Sequence, residues 1–101
     1  MNNVNEKDWK TFKKLVPIWQ ERYIKKLNNE YIEILNQSGS SAKNFWELEK
    51  RIKQDKKSPG VILDLKKSTM HFNIMLLLGY EVITLEDLKE FSDELINEFK
   101  K

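Results

Sequence analysis

Apolar residues recur along the first third of the chain at spacings of three and four: Trp9, Phe12, Val16, Trp19, Tyr23, Leu27, Tyr31 and Ile34. That period is helical, because residues three and four apart share one face of a 3.6-residue turn. Pro17 interrupts the row. An interior proline removes one backbone hydrogen bond and crowds the preceding turn, yet it suits a first-turn position. The pattern predicts a short opening helix, a bend near Val16, and a long helix from Pro17 to about Gln37, ended by the loop Gln37-Ser38-Gly39-Ser40-Ser41. A second helix is predicted from Ser41 or Ala42 to about Asp55, capped by Ser40 or Ser41, with Phe45, Leu48 and Ile52 as its inner face.

A third helix is predicted from Pro59 to Leu78, with Ser58 as cap and Pro59 preorganised for the first helical position. Its second half, Met70 to Leu78, is apolar on nearly every side, as a helix reads when neighbours surround it. Gly79 is expected to be its left-handed stop, followed by Val82 and Ile83 as a short buried connector. Thr84-Leu85-Glu86-Asp87 has the form of a capping box, and Leu88, Phe91, Leu95 and Phe99 form the inner stripe of a last helix. The fold class is all-α: a compact bundle of four main helices with a short or Pro-kinked leading helix, one domain over residues 1–101.

Composition narrows the chemistry. Leu, Ile, Val and Phe supply 30 of 101 residues, enough for an ordered core. The absence of cysteine excludes disulfide scaffolds, thiol nucleophiles and thiolate zinc sites. No run approaches about 18 apolar residues, so no membrane span is predicted. Met1 to Lys14 has no apolar block, so it reads as mature protein and predicts a cytoplasmic location with no membrane partner.

His71 is the only histidine, set between Met70 and Phe72. Its neighbours one turn away are Lys67, Ser68, Ile74 and Met75, so no local metal pair arises, and the reading is a packed histidine satisfied by one hydrogen bond. The acids of the last helix fall mostly on its outer side, where a carboxyl keeps its ordinary pKa and makes a poor general acid at neutral pH. Lys66-Lys67-Ser68-Thr69 lacks the glycine-rich loop that would hold a phosphate. The sequence therefore predicts a non-enzyme with no catalytic residue, no metal and no cofactor.

Two surfaces remain. The net charge is only +2, but residues 41–70 carry +4 and residues 71–101 carry −4. Lys50, Arg51, Lys53, Lys56, Lys57, Lys66 and Lys67 straddle the turn between the second and third helices, a candidate polyanion-binding group. Trp46 lies about 100° from Phe45 on the second helix, and the reading sets it at the margin of the core; exposed together with Trp9 or Tyr23, it would form an aromatic protein-binding anchor. Apolar coverage this wide points to a homodimer or another protein as partner, with nucleic acid as the alternative.

Trp19-Gln20-Glu21-Arg22-Tyr23, Phe45-Trp46-Glu47-Leu48-Glu49-Lys50-Arg51-Ile52, Pro59-Gly60-Val61, Ile83-Thr84-Leu85-Glu86-Asp87-Leu88 and Phe91-Ser92-Asp93-Glu94-Leu95 together resemble a group of small uncharacterised bacterial proteins. The resemblance covers most of the chain. It implies a compact helical fold in Gram-positive-type bacteria and carries no activity or site residue with it.

Overall fold

The computed structural model describes residues 4–100, and in it the leading apolar row forms one continuous helix, α1 (Glu6–Leu35). The expected break at Pro17 does not occur. Pro17 lies on the exposed side of α1, where the carbonyl that loses its donor can turn to water. Phe12 and Val16 before it and Trp19 after it are locked into the same core. Asn5 caps the helix, its Oδ1 accepting from the N–H groups of Lys7 and Asp8 at 2.8 and 3.3 Å.

α2 (Ser41–Asp55) follows the sequence pattern, with Ser40 Oγ accepting from the Lys43 N–H. The next stretch does not. Val61 and Ile62 both donate to the Ser58 carbonyl, and the Gly60 N–H donates to Ser58 Oγ, which closes a tight buried turn instead of opening a helix. Gly60 sits so close under the Tyr23 ring that any Cβ there would collide with it. Residues 62–66 then run as an extended strap along α1. Gln20 donates to the Pro59 carbonyl at one end of the strap, Lys67 pairs with Glu6 at the other, and Leu63 packs on the core between them. Only after a 3₁₀ turn at Lys67–Thr69 does α3 (Met70–Gly79) begin.

The stop of α3 lies two residues beyond Gly79. Glu81 takes the left-handed conformation (φ 60°), its N–H donating to the Leu78 carbonyl and that of Val82 to the Leu77 carbonyl. This is the Schellman arrangement, with the buried Val82 following the left-handed residue. The Thr84–Asp87 capping box forms, but it holds a single 3₁₀ turn, Leu85–Leu88. Ser92 caps again, and α4 (Asp93–Phe99) is short. The last helix is thus split in two.

One core unites these parts. Phe12, Leu15, Val16 and Trp19 of α1 meet Met70, Ile74 and Leu77 of α3, together with Val82, Ile83, Leu88, Phe91 and Leu95. They form a body around the first half of α1. Its second half and α2 form a helical-hairpin arm in which Leu27 and Ile34 are the buried apolar residues, and the molecule is accordingly elongated, 53 × 24 × 22 Å. Among the described residues no helix is long and apolar enough to cross a membrane.

Candidate protein-interaction surface

The arm is held together by polar groups. Tyr31 Oη donates to Asp55 Oδ2 at 2.6 Å, and the Arg51 guanidinium bonds Glu30 at 2.6 Å and Asp55 at 3.3 Å while lying over the Tyr31 ring. Nearer the tip, the buried Asn44 side chain donates to the Gln37 carbonyl at 2.8 Å. Burial, and next the hydrogen bond to the Asp55 carboxylate, push the Tyr31 phenol up to about 12. The hydrogen bond to Glu30 holds the Arg51 guanidinium in its charged form still more firmly.

Polar contacts on this side turn the apolar side of α2 away from α1. Asn44, Arg51 and Asp55 occupy the inward positions, with Leu48 partly buried beside them. Phe45 and Ile52, expected on the inner face, are exposed. Trp46, expected at the core margin, is 63% exposed, and its ring meets that of Phe45 edge-on with centroids 4.9 Å apart. An open groove of about 360 Å³ runs past Phe45, Leu48 and Ile52 and is edged by Glu49, Lys53 and Lys56. Through Ile52 and Lys56 it continues into a second hollow of about 220 Å³ between the two helices, floored by Ile24, Leu27 and Val61. Helical spacing from Ile24 and Tyr31 carries the exposed Leu35 onto the same side.

The other two aromatic candidates lie elsewhere. Tyr23 is partly buried over Gly60, and Trp9 is partly buried against the body core, stacked near Phe12 with Lys13 over its ring. Trp9 and Tyr23 are about 21 Å apart along α1. The three therefore do not form one anchor.

The structure also divides the basic group. The strap carries Lys66 and Lys67 to the start of α1, where they pair with Asp64 and Glu6, while Arg51 is committed within the arm. Glu6 and Tyr31 are about 37 Å apart along the helix, so the two sets do not share a patch. Lys50, Lys53, Lys56 and Lys57 stay together, exposed and without an ion pair among the described residues.

His71 is largely buried in the body, its Nδ1 2.8 Å from Glu98 Oε1 and its ring beside Phe99. Glu98 is half exposed, so the pair is a surface tie between α3 and α4, not an imidazole beside a buried acid. Among the described residues no three acids or histidines converge as a metal site, and no buried side-chain polar atom lacks a partner. Two polar joints escaped the sequence reading because their partners are far apart in the chain. Buried Asp8 accepts from the Ser92 N–H at 2.9 Å and from its hydroxyl at 2.6 Å. Arg22 grips both oxygens of Asp87 at 3.0 Å and donates to the Val82 carbonyl. Burial acts to raise the Asp87 carboxyl, but Arg22 and the Thr84 N–H outweigh it and hold it below the usual carboxylate range.

No family model, curated protein or solved structure matches the chain.

Proposed function

We propose that this protein is a non-enzymatic interaction module that works by presenting the apolar face of its arm to a protein partner. The observation that carries the reading is the Phe45–Trp46 pair, standing exposed at 57% and 63% beside a groove lined by Leu48 and Ile52. Large contiguous apolar surface of this kind is costly to leave in water, and aromatic anchors supply much of the energy of protein interfaces. The compartment in this reading is a bacterial cytoplasm, and the support for a bacterial source is the resemblance of the segments named above.

A photo-crosslinking amino acid at position 46, with a second variant carrying it at the partly buried Trp9, tests the reading in cells. Protein adducts at position 46 and few at position 9 are expected; no protein adduct at position 46 would overturn it. The four free lysines Lys50, Lys53, Lys56 and Lys57 favour one rival, a polyanion such as nucleic acid along the groove edge. In that case Lys53→Glu, Lys56→Glu and Lys57→Glu together would abolish salt-sensitive retention on DNA or RNA, whereas the protein-partner reading expects no such retention to begin with.

A further inference from the structure

We infer that the occupant of the groove is a second copy of this chain, the two arms pairing through antiparallel α2 helices into a four-helix arrangement. This deepens the interaction reading and rests on it. Three features carry the inference.

The first is shape. An antiparallel helical hairpin with one open apolar side is half of a four-helix bundle, and the missing half is another hairpin of the same kind.

The second is area. Aromatic side chains carry 150–250 Å² each, so at their observed exposures Phe45 and Trp46 leave roughly 250 Å² in water. Leu35 and Ile52, 51% and 38% exposed, add roughly 150 Å², about 400 Å² in all. A standard interface takes about 800 Å² from each partner, a little over half of it apolar. The face therefore supplies most of the apolar share of a dimer interface.

The third is charge. The groove edge is acidic at Glu49 and basic at Lys53 and Lys56. A two-fold axis passing between the two α2 helices at the level of residue 51 sets Glu49 of each copy opposite Lys53 of the other, and Lys56 of each opposite the Trp46 ring of the other. Each favourable contact is then made twice, as an isologous interface requires. Parallel pairing would set Lys53 against Lys53 and Glu49 against Glu49. An acidic helix from another protein would satisfy the lysines and be repelled by Glu49.

Sedimentation equilibrium of the full chain from about 5 to about 200 µM tests this, a range chosen to span micromolar affinity. The expected mass rises to twice the 12.1 kDa of one chain. Phe45→Glu should weaken association by about tenfold or more with the helical circular dichroism unchanged, because Phe45 is 57% exposed in the single chain. Glu49→Lys and Lys53→Glu should each weaken it, and the double exchange Glu49→Lys/Lys53→Glu should restore it. A mass that stays at one chain throughout overturns the inference; adducts to other proteins from position 46 would then still uphold the broader reading, and their absence would sink both. A dimer indifferent to all four variants overturns the arm-to-arm geometry.

Discussion

Asp8 shows how a single side chain can join the ends of a fold. It stands in the first turn of α1, where a negative charge is favoured by the helix dipole, and its two oxygens take both donors of Ser92, 84 residues later. Ser92 Oγ in turn accepts from the Leu95 N–H, so the carboxylate orients the very hydroxyl that starts α4. Asp8→Ala strips a partly buried N–H and hydroxyl of their acceptor. We expect a loss of about 2–3 kcal/mol in urea unfolding, with Asp8→Asn, which keeps one acceptor oxygen, losing less. Equal losses for both variants would count against the two-pronged joint. In the sequence Asp8 is one of sixteen acids, and nothing local marks it; the signal is a partner supplied by the far end of the chain.

At the scale of elements, legibility followed locality. The α2 boundaries are legible because cap, loop and period agree within a few residues, and α3 is legible because six of the seven residues from Phe72 to Leu78 are apolar. The segment from Pro59 to Lys66 was misread as helix because Ser58-Pro59 suits a helix start. What decides otherwise is tertiary: Gly60 lies under Tyr23, and the Asp64 carbonyl is held by Asn73. The orientation of α2 was hidden for the same reason. Its apolar stripe is strong, but Tyr31, Glu30 and Gln37 on the preceding helix and loop offer bonds to its polar side. That seam has a pH signature. The Tyr31 phenol is held up to about 12, against 10.0 for the free group, so the fold favours its neutral form. Its contribution is complete below pH 10 and is lost as pH rises from there through 12. In an ultraviolet titration the latest phenol transition should vanish in Tyr31→Phe, and Asp55→Asn, by removing the negative charge beside the phenol, should move it to lower pH.

At the scale of the whole molecule, α1 is shared by two units of different strength. The body buries twelve apolar residues in one cluster, whereas the arm is closed mainly by a few polar bonds and two buried aliphatic side chains. Opening free energies should differ accordingly. Native-state hydrogen exchange is expected to show amides of Ile74 and Leu77 protected to near the global stability, and those of α2 far less. If arms pair, protection of α2 alone should climb with protein concentration. The spine shared by the two units also has a temporal meaning during synthesis. The arm is complete once α2 has left the ribosome, but Phe12, Leu15 and Trp19 lack their main covers until α3 and the segment from Val82 to Leu95 emerge. For that interval the nascent chain carries a finished hairpin joined to a bare greasy rod, the stage at which a chaperone would find most to hold.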